Sequence, residues 1–132
     1  MTRRFRQRGF TLIELMVVIS IIVILMAVAI PRYQVSILRA RETVLKDDLY
    51  SIRTVIDQYT LDKQKAPQSL QELVEAGYLK QLPKDPFTNS TETWVPVQDD
   101  SLMSPDQTEP GIIDVHSGSD LNSTEGTAYS TW

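Results

Sequence analysis

The feature that most constrains this chain is an apolar run of 21 residues from position 10 to position 30, interrupted only by Thr11, Glu14 and Ser20. About 20 apolar residues in a helix cross the hydrocarbon core of a bilayer, so the run predicts a membrane-spanning helix. A secretory signal peptide is the alternative, but its apolar region would be shorter. Here amphipathic sequence follows directly after Pro31 instead of a cleavage site.

The charge is distributed unevenly along the chain. Four arginines and no acidic residue occupy the first nine positions, whereas the remaining residues carry a net charge of −8. Positive residues beside an apolar span remain in the cytoplasm, so we expect a cytoplasmic N-terminus and an exported remainder. A nucleic-acid partner is not expected, because such proteins present a basic face. Cysteine is absent, so thiols do not indicate a compartment.

Glu14 is unusual because it lies within the apolar run with no basic residue beside it. A charge at membrane depth costs roughly 2.5–3.5 kcal/mol on insertion scales and usually marks a function. If the chain were cut after Gly9, the new amine of Phe10 would lie about one helical turn from this carboxylate. The carboxylate could then pair with its own amine or with that of a neighbouring copy. An uncut single-pass anchor remains the simpler alternative.

The stretch RGFTLIE, from Arg8 to Glu14, resembles the N-terminal signal of type IV pilins and type II secretion pseudopilins. The resemblance implies cleavage after Gly9 by a prepilin peptidase, methylation of Phe10, and a role for Glu14 in filament assembly. It further implies a homo-oligomeric helical filament, with minor pseudopilins and an inner-membrane assembly platform as partners. Residues 1–9 would form the leader and residues 10–30 the membrane and filament-core helix.

Residues 31–63 are predicted to continue the helix as its amphipathic half. Apolar side chains recur at helical spacing and should pack on the head, namely Leu38, Leu45, Leu49, Ile52, Ile56 and Tyr59. The charged residues are expected on the opposite face, namely Arg39, Arg41, Glu42, Lys46, Asp47, Arg53 and Asp57.

Residues 64–132 are predicted to form a small globular head. Ser69 and Glu72 have capping-box spacing and Gly77 suits a helix end, which predicts a short helix over residues 70–76. Residues 92–97 and 112–116 are strand-like and residues 117–132 loop-like, with Trp132 docked on the head. The fold class is therefore α+β: a long N-terminal helix packed on a head with a short helix and a small antiparallel sheet, as in type IV pilins.

Several further stretches resemble the major pseudopilin of the type II secretion system: residues 59–62, 66–67, 76–79, 83–87 and 114–120. The resemblance implies a non-enzymatic subunit of a pseudopilus that drives protein export. The head would lie in the periplasm and the helix in the bacterial inner membrane, with the filament in the periplasm or reaching the cell surface. A type IV pilin for adhesion, motility or DNA uptake is the alternative. Such heads often carry a disulfide and a larger sheet.

The head shows no catalytic motif, and His116 is the one histidine. Residues 117–127 are rich in the oxygen donors that calcium prefers, but their spacing does not match an EF-hand. Major pseudopilins hold calcium in this region, and the resemblance implies the backbone carbonyl of Ser117 and the side chain of Asp120 as ligands. The second acidic ligand of the family has no clear counterpart, and Glu125, Thr127 and Ser130 are the candidates. A loop without metal is the alternative.

Overall fold

The computed structural model describes residues 9–100, 105 and 109–132. The leader up to residue 8 and most of the polar loop around residues 101–108 lie outside the described residues. The chain divides into two compact units, which we call the N-terminal unit (Met1–Ile37) and the C-terminal unit (Leu38–Trp132).

Helix α1 spans Leu12–Lys63 and therefore contributes residues to both units. Pro31 lies inside it without ending it, which shows that the loss of one backbone hydrogen bond is tolerated at this position. The predicted continuous helix is thereby confirmed. In the described part of the N-terminal unit, every side chain from residue 9 to residue 37 is exposed.

The C-terminal unit is built around the apolar stripe of α1. The predicted packing of this stripe is confirmed, because five of its members are buried and Leu38 is half-buried. The rest of the core comes from Leu70, Leu73, Trp94, Ile112, Val115 and Tyr129, with Phe87 and Trp132 partly buried against it. Phe87 stacks on Tyr129 with ring centroids 3.9 Å apart.

Helix α2 spans Leu70–Glu75 and shows the predicted ends. The Ser69 hydroxyl accepts the N–H of Glu72, while Gly77 has a φ of 84° and begins the turn that closes the helix. The N–H groups of Gly77 and Tyr78 reach the carbonyls of Val74 and Leu73, as in a Schellman motif. The Glu72 carboxylate reaches back as the capping box predicts, but it accepts chiefly from the N–H of Gln68, at 2.7 Å, and more weakly from the N–H of Ser69.

The sheet consists of β1 (Val95–Gln98) and β2 (Ile112–His116), which pair antiparallel with a bulge between Val97 and Gln98. The two predicted strands are confirmed, although β1 starts three residues later than expected. Its predicted first residues belong to a turn: the N–H of Glu92 donates to the Ser90 hydroxyl, and the hydroxyls of Thr88 and Thr93 pair. After β2 the chain forms a loop that ends in a short 3-10 helix, Tyr129–Thr131.

Two charged residues of α1 do not lie where the sequence placed them. Glu42 was expected on the solvent face but is 6% exposed. Arg53 is half-buried, and its guanidinium donates to the Asp114 carboxylate at 2.6 Å and to the Val115 carbonyl at 2.9 Å. Both side chains are withdrawn from solvent because residues far along the chain bind them. Groups of Thr124 and Tyr129 donate hydrogen bonds to Glu42, and groups of Asp114 and Val115 accept hydrogen bonds from Arg53.

Candidate functional site

The predicted processing site lies immediately before α1. Gly9 and Phe10 are exposed and precede the helix, which begins at Leu12. The Thr11 hydroxyl accepts the N–H of Glu14 at 3.2 Å and thereby caps the helix. The bond between Gly9 and Phe10 is therefore outside regular secondary structure, which is the condition a peptidase needs to reach a backbone carbonyl.

Glu14 occupies the first turn of α1 and is exposed. A carboxylate in a first turn interacts favourably with the helix dipole by typically about 0.3–1 kcal/mol. That gain is smaller than the cost of carrying the charge into hydrocarbon. In the part of the chain that the structure describes, no basic group forms an ion pair with Glu14. The carboxylate is thus left for a partner outside this chain's described residues.

The other two polar side chains of the apolar run are satisfied within the helix. Thr11 caps it, and the Ser20 hydroxyl donates to the carbonyl of Met16 at 2.7 Å. Such back-bonding removes the cost of placing a hydroxyl in an apolar environment. Among these three side chains, Glu14 alone has no side-chain hydrogen bond or ion pair within the described residues.

The apolar surface of the N-terminal unit is continuous and uncovered. Its most apolar 18-residue window has a mean hydropathy of 3.0, and none of it is buried. Monomeric soluble proteins rarely expose apolar patches larger than a few hundred Å². By length and composition α1 can cross a membrane, so lipid or other copies of the chain are the environments that suit this surface.

The structure does not bring the five candidate calcium ligands together as one charged cluster. Ser117 is buried and its hydroxyl donates to Asp85 at 2.5 Å, whereas Asp120 is exposed. Glu125 lies 3.5 Å from the Lys46 ammonium. The Thr127 hydroxyl accepts from the Trp132 indole at 2.8 Å. Ser130 is half-buried in the 3-10 helix.

The side chain that organises this region is Glu42, which the sequence reading assigned to solvent. Its carboxylate accepts the N–H and the hydroxyl of Thr124, each at 2.7 Å, and the hydroxyl of Tyr129 at 2.8 Å. Burial raises the pKa of Glu42, but the hydrogen bonds from Thr124 and Tyr129 and the charge of Lys46 outweigh it and leave the pKa below 4.5. The signal in the sequence was its helical position, since residue 42 falls between Leu38 and Leu45 on the apolar stripe.

These residues offer few acidic ligands to a calcium ion. Calcium takes six to eight oxygens, several of them from carboxylates. Across the described ranges no group of three or more acidic or histidine side chains converges. Of the two acidic candidates, Glu125 already faces a lysine. The same described residues contain no cluster of histidine and acidic side chains that would support hydrolytic metal chemistry.

Comparison with known proteins agrees with the N-terminal geometry. The family model described as the prokaryotic N-terminal methylation motif matches residues 4–30. The type IV major fimbrial protein FimA of Dichelobacter nodosus is 48% identical over 60 residues, which cover 46% of this chain and 38% of that protein. No solved structure matches the chain significantly.

The longer matches extend into the C-terminal unit. Type II secretion system core protein G of Pseudomonas aeruginosa is 37% identical over 110 residues, covering 71% of this chain and 78% of that protein. The protein of the same name from Klebsiella pneumoniae is 34% identical over 128 residues, covering 85% and 84%. Because these relatives are more than 30% identical over more than two thirds of the chain, the chain belongs to the family of type II secretion system core protein G, the major pseudopilins.

Proposed function

We propose that the chain is a structural subunit of a type II secretion pseudopilus, cut after Gly9 by a prepilin peptidase and methylated on the new terminal amine of Phe10. Subunits enter the inner membrane with the N-terminus in the cytoplasm and the C-terminal unit in the periplasm. An assembly platform and minor pseudopilins then stack them into a helical filament whose movement drives export. The role is mechanical and involves no catalysis by this chain.

The observation that carries the proposal is the unpartnered Glu14 carboxylate in an otherwise satisfied apolar surface. In lipid the charge costs roughly 2.5–3.5 kcal/mol. In a filament it meets a Phe10 amine of a neighbouring copy, and the cost becomes an attraction. Because the attraction exists in one register only, it sets how far one subunit is displaced from the next.

Processing is tested by the intact mass and N-terminal sequence of the protein isolated from bacterial membranes. The expected product begins at Phe10 and carries one additional methyl group. A product that retains the arginine leader would contradict both the cleavage and the amine that Glu14 requires.

Assembly is tested by comparing Glu14→Ala with Ser20→Ala. Both variants remove a polar group from the apolar run, but the Ser20 hydroxyl is satisfied within its own helix. We expect Glu14→Ala to insert normally and to reduce sheared filament yield at least tenfold, whereas Ser20→Ala assembles as the wild type does. Equal filament yields from the two variants would exclude the register mechanism.

A type IV pilin is the second candidate, favoured by the 48% identity of a 60-residue stretch to a fimbrial protein. The two functions differ in phenotype. Deletion of a pseudopilin leaves export substrates in the periplasm, while deletion of a pilin abolishes surface filaments, adhesion or motility. The longer matches to core protein G favour the first outcome.

A further inference from the structure

The C-terminal loop, residues 121–132, presents hydrogen-bond donors toward α1 instead of the oxygen acceptors that a cation needs. Three donors converge there: the backbone N–H of Thr124, the Thr124 hydroxyl and the Tyr129 hydroxyl. Burial, and then the bond to Glu42, raise the pKa of Tyr129 to about 12, so this hydroxyl keeps its proton in the physiological range. The loop is therefore shaped to receive an anion.

That anion is part of the chain itself. Glu42 projects from α1 into the three donors with both carboxylate oxygens engaged, at 2.7 and 2.8 Å. Charge-assisted hydrogen bonds of this length are about twice as strong as neutral ones. No buried side-chain polar atom among the described residues is left without a partner. The hydrogen bonding of Glu42 with Thr124 and Tyr129 is therefore satisfied without an additional ligand.

Two of the hydroxyl groups within residues 117–127, those of Ser123 and Thr127, are used within the loop. The Ser123 hydroxyl accepts the N–H groups of Glu125 and Thr127 and lies 3.1 Å from the Thr127 hydroxyl. The Trp132 indole donates to Thr127. Small hydroxyl side chains serve here to close turns, which is their ordinary role in loops.

The acidic side chains beside the loop already face basic ones. A polar cleft of about 390 Å³ is lined by two basic residues, Arg39 and Lys46, and by the carboxylates of Glu42 and Glu125. The Lys46 ammonium lies 3.5 Å from Glu125 and 4.6 Å from the centroid of the Trp132 ring. A calcium ion at Glu125 would have to displace this ammonium.

We infer that Glu42 is the built-in anion that holds the C-terminal loop on α1, and that the C-terminal unit folds without calcium. The inference concerns this unit alone and does not depend on filament assembly. Glu42, Thr124 and Tyr129 are then positioning residues, because their hydrogen bonds fix the C-terminal loop on α1.

The test is thermal unfolding of the full chain in detergent, followed by near-ultraviolet circular dichroism, in a chelator, in about 10 mM calcium or in the same magnesium concentration. Extracellular calcium sites bind with dissociation constants of about 10⁻⁴–10⁻³ M. A resident site would thus raise the midpoint by roughly 5 °C or more in calcium alone. We expect the three midpoints to agree within about 1 °C. A calcium-specific rise that Asp120→Asn abolishes would overturn the inference.

The variant pair is Glu42→Gln and Asp47→Asn, which make the same chemical change to a buried and an exposed carboxylate of α1. We expect Glu42→Gln to lower the midpoint by roughly 5–15 °C, with no recovery in calcium. Asp47→Asn should stay within about 2 °C of the wild type.

Limited proteolysis supplies the readout that a general loss of stability would not give. Glu42→Gln should be cut first within residues 121–127, at a temperature where the rest of the C-terminal unit is intact. If Glu42→Gln does not fold, Thr124→Ala and Tyr129→Phe each remove donors to the same carboxylate. Unchanged midpoints and unchanged cleavage in both variants would contradict the inference that Glu42 holds the C-terminal loop on α1.

Discussion

Each half of α1 carries one glutamate in an unusual environment, and the two glutamates differ in burial and in hydrogen bonding. Glu14 lies in an exposed apolar surface and has no basic partner within the described residues. Glu42 is buried, and three donors from residues more than 80 positions away satisfy it. On the proposed function, other molecules satisfy the glutamate of the first half, whereas the glutamate of the second half is satisfied by its own chain. Stability and assembly should accordingly respond to different substitutions.

The largest expected contrast is between Ile52→Ala and Ile22→Ala. Ile52 is fully buried in the core of the C-terminal unit, while Ile22 is about half exposed in the N-terminal unit. Removing a buried isoleucine side chain costs typically about 2–5 kcal/mol, because a cavity remains. We expect such a loss in the free energy of unfolding for Ile52→Ala, measured by denaturant titration in detergent.

Ile22→Ala should change that free energy by less than about 0.5 kcal/mol. Its effect should appear in filament yield, because its contacts are made with lipid or with other subunits. A loss of monomer stability comparable to that of Ile52→Ala would show that the apolar surface packs within the chain.

The next contrast is between two glycines. A methyl group added at Gly118 would lie 2.1 Å from the carbonyl oxygen of Thr93, whereas one added at Gly9 meets nothing within 4 Å. Overpacking of this kind costs typically about 1–3 kcal/mol. We expect Gly118→Ala to lower the thermal midpoint of the C-terminal unit.

Gly9→Ala serves as the matched variant in the other region. It should leave the thermal midpoint unchanged and should slow removal of the leader, as followed by the ratio of precursor to mature protein on a gel. Unimpaired leader removal together with a lowered thermal midpoint in Gly9→Ala would contradict the assignment of Gly9 to processing and not to the stability of the C-terminal unit.

Acid should weaken the C-terminal unit through its buried carboxylates. Burial raises the pKa of both Glu42 and Glu72, but their hydrogen bonds outweigh it and lower each pKa below 4.5. A lowered pKa in the folded state gives stability that is present above about pH 4.5 and is lost as the pH falls through the folded-state pKa. Burial and the charges of Asp47 and Asp85 raise the pKa of Asp48, which acts in the opposite direction.

We therefore expect the free energy of unfolding to be level between about pH 5 and 7 and to decline below about pH 4.5. Glu42→Gln should make this decline shallower, and Glu14→Gln should leave it unchanged. An equal change in slope for both variants would remove the distinction between the two glutamates.

The smallest effect is expected for Lys46→Ala. Its ion pair with Glu125 joins two side chains that are each more than half exposed, and such pairs contribute about 0–1 kcal/mol. The contact with the Trp132 ring adds a similar amount at an exposed site. A thermal shift of no more than a few degrees is expected, and high salt should reduce it further.

The sequence predicted the features that depend on local pattern. Helical spacing placed Leu45 and Ile52 in the core, and the spacing of Ser69, Glu72 and Gly77 predicted both ends of α2. The apolar run and its glutamate pointed to the family before any fold was available. Each of these signals lies within a few residues of the feature that it predicts.

The misplaced features depend on contacts between distant residues. Glu42 carries a charge, so it was assigned to solvent, because the donors on Thr124 and Tyr129 that make its burial favourable could not be located from the sequence. The calcium ligands, inferred from the family resemblance and from the oxygen-rich composition, stay a prediction. Composition does not reveal that the Ser117 hydroxyl donates to Asp85 or that Thr127 accepts from Trp132.

The two tryptophans lie in the same unit, and this has a practical consequence. Trp94 is buried with its indole donating to the Pro83 carbonyl, and Trp132 packs at 5.1 Å against Tyr129 beside the loop. Because the chain has no other indole, intrinsic fluorescence reports on the C-terminal unit and not on the bilayer-length half of α1. One spectroscopic assay can thus compare the folding of a subunit in micelles, in vesicles and in assembled fibres without interference from the surroundings of its apolar half.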